Sequence, residues 1–353
     1  MQPRKQSNTK TITKITEYVE GLPEKDKEIT RALFEFIPLT GKLTLPKEMY
    51  PWVKKTFGSP ESVEKQRIMR IRNKLTEDTA LFNSVRSNRP MESTGNIDVE
   101  EVVRTARDPF SNPEPNTPLD EQGRIQGTYV TTSANVAKYD GDHSLIIFNE
   151  PNPYKVSEPA FIEAIQTAFT WFDKVGEGYP FLMWNCLWKS GASVVHTHMQ
   201  MTMAHRKPYA YMRKIRKANT MCIESYEKPY FKAWRQAHDS LGLSYKTEYG
   251  EIVSSITPVK ERELVCFPKD ITPETIGSMI YSVKEAYLEA GVQSFNMGLY
   301  IPKSSSIPLH FRFVDRGKLD TKTTDFGGVE VLAEEKIVGN DPYNVLMSIK
   351  EAL

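Results

Sequence analysis

Apolar residues recur at spacings of three and four between residues 157 and 175, where Phe161, Ile165, Phe169 and Phe172 form one stripe. That period predicts an amphipathic helix buried along one side. Ser157 stands where an N-cap belongs, with Glu158 and Pro159 in the first turn. A second helix is expected over residues 273–290, capped by Thr272 and stopped by Gly291, and a third over 341–353. Short β-prone runs predict strands at 127–133, 144–148, 179–188, 194–202, 251–256, 264–267, 295–301 and 309–314. Strands outnumber helices and rarely alternate with them, so the expected class is α+β with a mainly antiparallel sheet. Residues 1–70 read differently. They are rich in Lys and Glu, carry helix-like segments at 28–36 and 62–72, and are broken by Pro46, Pro51 and Pro60. They are expected to form an N-terminal helical extension. Residues 108–127 read as a proline-rich loop, and no internal repeat is visible.

Composition narrows the function. The chain has 353 residues, 39% hydrophobic and 26% charged, as a globular protein with a sizeable core does. A net charge of +1 supplies no field that would recruit nucleic acid or a membrane surface. No apolar run approaches the roughly 18 residues of a membrane span, and the first residues lead into no signal-peptide core. Three widely spaced cysteines, Cys186, Cys222 and Cys266, argue against a disulfide framework and for a reducing compartment. The expected location is therefore cytoplasmic.

The chemistry concentrates at Val194-Val195-His196-Thr197-His198-Met199-Gln200-Met201-Thr202. Read as a strand, it puts Val195, Thr197, Met199 and Met201 on one face and His196, His198, Gln200 and Thr202 on the other. Neighbours in that polar row lie roughly 7 Å apart, so one phosphate group spans two of them. The preceding Gly191-Ala192-Ser193 has small side chains that let backbone N–H groups approach a phosphate, and Ser193 adds a hydroxyl. A neutral imidazole attacks phosphorus without first losing a proton, and an amide such as Gln200 donates to a phosphoryl oxygen without charge. A single buried histidine is more often a core residue than a catalyst. Two histidines and a glutamine behind Gly-Ala-Ser favour function. A His-X-His pair also suits a metal, but zinc would need further ligands, for which His143, His205 and several carboxylates are available.

These residues resemble the histidine-triad superfamily, in its transferase branch, where His-X-His-X-Gln stands in place of a third histidine. The likeness to galactose-1-phosphate uridylyltransferases covers roughly residues 70–353. It runs through Asn73-Lys74-Leu75-Thr76, Arg86-Ser87-Asn88-Arg89-Pro90, Asp108-Pro109-Phe110-Ser111, Ser133-Ala134-Asn135, Asp142-His143-Ser144 and Asn185. It continues through the His198 segment, 295–300, Leu309-His310-Phe311-Arg312 and Gly328-Val329-Glu330-Val331-Leu332-Ala333-Glu334. The resemblance implies two related α/β halves, 71–205 and 206–353, whose mainly antiparallel sheet forms a half-barrel beyond the extension 1–70. It implies a nucleotidyltransferase of the hexose-1-phosphate uridylyltransferase type. His198 would attack the α-phosphorus of a nucleoside diphosphate sugar, leaving a nucleotidyl-histidine that a second sugar 1-phosphate discharges. His196 would support it. Asn185, Ser193 and Gln200 would contact the phosphoryl group, and Arg86 and Arg89 the phosphate of the sugar 1-phosphate. Asn135 would touch the nucleoside and Glu330 the sugar hydroxyls. A homodimer is also implied. The alternatives are a phosphorylase of a dinucleoside polyphosphate or nucleotide sugar, using the same histidine, and a nucleotide-binding protein without turnover.

The family's zinc site departs here. Asp108 and Ser111 stand where it has cysteines, so Asp108, His143 and His196 remain as a reduced candidate set. No required cofactor and no occupied zinc site are expected. At a second metal site of some members, Tyr300 and Arg312 replace two histidines and only His310 is left. The residues around 325–329 also differ from the sugar-contacting run, so the base and the sugar are left open.

Overall fold

The computed structural model describes residues 10–90, 95 and 97–353. The strands are β1 (Phe34–Lys42), β2 (Lys65–Asn73), β3 (Thr79–Phe82), β4 (Val130–Ala134), β5 (Asp142–Phe148), β6 (Tyr179–Cys186), β7 (His198–Ala204), β8 (Ser244–Lys246), β9 (Gly250–Ser254), β10 (Leu264–Pro268), β11 (Phe295–Tyr300), β12 (His310–Asp315) and β13 (Lys336–Val338). Nine of them form one sheet in the order β4-β5-β7-β6-β11-β12-β10-β9-β8, antiparallel at every pairing. The other four form a sheet in the order β1-β2-β3-β13, in which β13 runs parallel to β3. The class is α+β, as the strand count predicts.

Two halves are visible in the connectivity. β4, β5, the helix Glu158–Val175, β6 and β7 are echoed by β9, β10, the helix Pro273–Glu289, β11 and β12. The halves meet at β6 and β11, so the order β4-β5-β7-β6 continues as its own reverse, β11-β12-β10-β9. His198 opens β7 and His310 opens β12 at equivalent places in this plan.

The two helices cover one face of the large sheet. Phe161 and Ile165 are fully buried and Phe172 nearly so, with Phe169 partly buried against them, as the stripe in the sequence requires. They meet Trp184, Met199, Met201, Ile276, Ile280 and Phe295 in the main core. Each large side chain sealed there contributes about 1.5–3 kcal/mol. Thr272 caps the second helix by accepting from the Thr275 N–H, and Gly291, at φ +80°, turns the chain out of it.

The opposite face is covered only in part. A second core joins Val253, Val265 and Phe267 of β9 and β10 to the helices Ala210–Tyr226 and Tyr230–Leu241 and to Phe34, Met69 and Phe82 of the small sheet. This leaves the middle strands, β7, β6 and β11, accessible on that face.

The N-terminal region corrects two expectations. The helix expected over 28–36 ends at Leu33, and Phe34 starts β1. Residues 65–73 are β2 rather than helix. Met69, Ile71 and Asn73 are buried while Ile68, Arg70 and Arg72 are only partly so, a period of two that the high Lys and Arg content obscures. Helices do fill other parts of this region, at Ile15–Glu20, Glu24–Leu33, Tyr50–Phe57 and Pro60–Glu64. No helix of the described residues is long and apolar enough to cross a membrane.

Candidate active site

The strand expected over 194–202 begins later. β7 starts at His198, so His196 lies in the irregular approach to it. That approach is anchored by backbone bonds: the Thr197 N–H donates to the Pro151 carbonyl, and the Thr197 carbonyl accepts from Phe148. His196 and His198 therefore do not alternate on one strand. They are brought together by Phe110, whose ring meets His196 edge-on at 5.9 Å and His198 at 5.2 Å.

His198 is 5% exposed. Its Nδ1 lies 2.8 Å from the His196 carbonyl, an acceptor, so Nδ1 carries the proton and the Nε2 lone pair is free. Burial pushes its pKa below the ordinary histidine value. The backbone bond opposes this, and the neighbouring His196 ring adds to it. The ring is therefore neutral at physiological pH, as a phosphorus nucleophile must be.

Two amides flank this nitrogen. The ladder pairs Trp184 with Met199, so Asn185 is the next residue of β6, alongside His198. Asn185 Oδ1 accepts from Asn296 Nδ2 at 2.6 Å. Asn296 is itself held, donating to the Ser190 carbonyl at 2.9 Å and accepting from Arg316, which grips Asp325 with two bonds. Two residues along β7, Gln200 Oε1 accepts from the Tyr139 hydroxyl at 3.2 Å and lies 3.0 Å from His143 Nε2. His143 Nε2 also lies 3.1 Å from Asn135 Nδ2, and the Tyr139 N–H approaches His143 Nδ1. Both amides thus have their oxygen fixed, and no described residue takes their NH2 groups. A phosphoryl group on His198 Nε2 would meet donors rather than lone pairs.

The loop between β6 and β7 closes the other side. Leu187 sits at φ +67° and ψ 176°, a region that only glycine occupies without cost, and is nonetheless fully buried. Its carbonyl collects the Ser190 N–H, the Ser190 hydroxyl and the Ala192 N–H. Gly191, at φ +97°, then releases the chain, leaving Ser193 exposed before His196.

The residues expected to bind metal are divided. His196 Nδ1 faces Asp108 Oδ2 at 2.8 Å, and its Nε2 faces the Phe148 carbonyl at 2.6 Å. Both ring nitrogens of His196 are thus engaged by oxygen atoms. His143 joins Gln200 and Asn135 instead. Among the described residues no three His, Cys, Asp or Glu side chains are placed to hold a metal ion. The Asp108–His196 pair and the Phe110 ring tie the loop to the site.

Three further expectations meet a different geometry. Arg86 and Arg89 are exposed on and after the short helix Ser84–Ser87, beside the small sheet, and no contact among the described residues links them to His198. Asn135 lies 3.1 Å from the His143 ring and accepts from the Ala137 N–H, so it supports the Gln200 side of the site. Glu330 is 7% exposed. One carboxylate oxygen pairs with Lys260 and the other accepts from the Gly327 N–H. The second half has turned the equivalent of the nucleophile inward: His310 Nδ1 donates to the Pro308 carbonyl, as His198 does to His196, but its Nε2 is taken by the Tyr211 hydroxyl at 3.0 Å.

Tyr139, Phe110 and the Asn296–Arg316–Asp325 chain were not singled out from the sequence. Asn296 alone gave a signal there, as a polar residue between Phe295 and Met297 in an otherwise apolar strand.

The titration of His198 follows from its burial. With its pKa lowered, the ring stays unprotonated below the ordinary histidine value of about 6.5. We expect the His198 ring protons, followed by NMR, to titrate only below that value. A midpoint above about 6.5 would contradict the burial argument.

No family model matches the chain, and no curated protein matches it in sequence. Solved structures do. An ADP-glucose phosphorylase from Arabidopsis thaliana, with ADP-glucose bound, is similar with a TM-score of 0.61 at 13% identity over 80% of this chain and 98% of that one. A GalT-like protein from Arabidopsis thaliana gives 0.61 at 12% identity, over 80% and 99%. A uridylyltransferase gives 0.54 at 16% identity, over 81% and 98%. At these identities the likeness is one of fold. The chain has the fold shared by this ADP-glucose phosphorylase, this GalT-like protein and this uridylyltransferase.

Proposed function

We propose that this protein is a nucleotidyltransferase that works through His198. The observation that carries the reading is the free Nε2 of a neutral, buried imidazole set between two amides that present only N–H groups. Nε2 attacks the α-phosphorus of a nucleoside diphosphate sugar and forms a P–N bond. The P–O bond to the departing sugar 1-phosphate breaks, and its electron pair leaves with that group. An oxygen of a second phosphate-bearing acceptor then attacks the same phosphorus, the P–N bond breaks, and the neutral imidazole returns. Asn185 and Gln200 donate to the phosphoryl oxygens as charge builds on them, which is worth 10²–10³-fold per donor at comparable sites, as an order of magnitude.

The acceptor is either a sugar 1-phosphate or inorganic phosphate. A third reading, nucleotide binding without turnover, predicts no covalent intermediate.

The protein would be incubated with nucleoside diphosphate sugars and dinucleoside polyphosphates labelled at the α-phosphate. Acid-labile, base-stable label is expected from at least one donor, and discharge by a hexose 1-phosphate or by inorganic phosphate separates transferase from phosphorylase. No label from any donor would end the proposal. If the arginines serve the acceptor phosphate, Arg86→Ala slows discharge by the sugar 1-phosphate about tenfold or more while loading is unchanged. Equal rates in both half-reactions would remove Arg86 from the site.

A further inference from the structure

A cavity of about 320 Å³ opens on the same face of the sheet as His198, between the strands and the start of the helix Ala210–Tyr226. Its volume is at the lower end of the range for small-molecule pockets. Tyr139, Phe181, Tyr209, Tyr211 and Tyr300 line it, with Tyr179 at the rim. The hydroxyls that would make it polar are already committed. Tyr139 donates to Gln200, Tyr209 to Asp140, and Tyr211 bonds His310. What the cavity offers a ligand is ring faces, which suit a flat aromatic group and do not suit the many hydroxyls of a hexose.

The rim adds charge. The Arg216 guanidinium lies 4.7 Å from the centre of the Tyr179 ring, and Lys303 Nζ lies 5.5 Å from it. Neither charged head has a hydrogen bond or an ion pair among the described residues. Two unpaired cations beside an aromatic box are complementary to a ring that carries phosphate.

The cavity adjoins Gln200 through Tyr139 and Met183, and it is the charged rim that distance separates from His198. Tyr179 is six residues from Asn185 along β6, roughly 20 Å of extended strand. A phosphate held by Arg216 and Lys303 is out of reach of His198. We propose that the cavity is a second nucleotide-binding site, with the base between the tyrosines and the phosphate on Arg216 and Lys303, occupied by a molecule other than the one attacked at His198.

The full chain carrying His198→Asn, which prevents turnover, would be titrated calorimetrically with ADP and separately with UDP. Two sites per chain are expected for at least one of them. Ile301→Trp, which fills the cavity, and Arg216→Ala should each weaken one site about tenfold or more and leave the other unchanged. Arg216→Gln, keeping the length of the side chain and losing its charge, replaces the alanine variant if that variant melts early. A single site in the parent that these variants abolish would support the cavity and count against nucleotide binding at His198. No binding, or sites that both variants leave untouched, would overturn the proposal. So would ribose 5-phosphate binding at the Arg216-dependent site as tightly as the nucleotides, since it has no aromatic base to place.

Discussion

Replacing His198 with Ala or Asn lowers nucleotidyl transfer by about 10,000-fold or more, the loss expected when a covalent nucleophile is removed. No other imidazole is positioned to substitute. Both nitrogens of His196 are engaged, and His143 is turned to Gln200 and Asn135. Asn is the more informative replacement, because its amide can still donate to the His196 carbonyl and so preserve the local turn. The melting temperature should stay near that of the parent while single-turnover transfer disappears. Activity within about tenfold of the parent in a folded His198→Asn protein would show that another group carries the reaction.

Glu263→Ala destabilises the fold by about 3–5 kcal/mol, the usual cost of stranding a buried charge. Glu263 has a side chain only 1% exposed and accepts from Arg312 Nε at 2.6 Å and from the Val259 N–H at 3.0 Å. Arg312, 17% exposed, also lies 4.5 Å over the Tyr211 ring. Burial raises the Glu263 pKa and the Arg312 charge opposes that, so each ion depends on the other. Urea unfolding should show a lower midpoint with an unchanged slope. The double variant Glu263→Met with Arg312→Leu should recover most of the loss, because it removes both charges at once. A Glu263→Ala protein within about 1 kcal/mol of the parent would mean that water reaches the guanidinium.

The two predictions concern equivalent rows of the two halves. In the first half, His198 Nε2 and the Gln200 NH2 group have no hydrogen-bond partner among the described residues. In the second, His310 and Arg312 are closed off by Tyr211 and Glu263, and burial holds the His310 pKa down to about 3. The same strand plan leaves one ring nitrogen of His198 without a partner and engages both ring nitrogens of His310.

Much of this was legible in the sequence. The helices Glu158–Val175 and Pro273–Glu289 were readable because one face of each is buried, which imposes a period of 3.6. β5, β10, β11 and β12 were readable as short apolar runs. β2 was not, because basic side chains fill its exposed positions and the eye takes charge for helix. The helices Ala210–Tyr226 and Tyr230–Leu241 also went unread, although both are amphipathic. At the site, the segment from His196 to Gln200 was found, but its geometry was not. A strand pattern cannot show that Thr197 bonds to Pro151, or that the chain becomes a strand only at His198. The supporting residues come from distant parts of the chain, Phe110, Tyr139 and Asn296 among them, and only the fold brings them to the histidine.

Mass spectrometry of the intermediate tests the central claim most directly. The protein would be mixed with the labelled donor in the absence of acceptor, quenched in base and digested. The account predicts one modified peptide, heavier by a nucleoside monophosphate less water, with the addition on His198 and none in the His198→Asn protein. An adduct on any other residue, or turnover with no adduct under conditions that preserve phosphorus–nitrogen bonds, would contradict it.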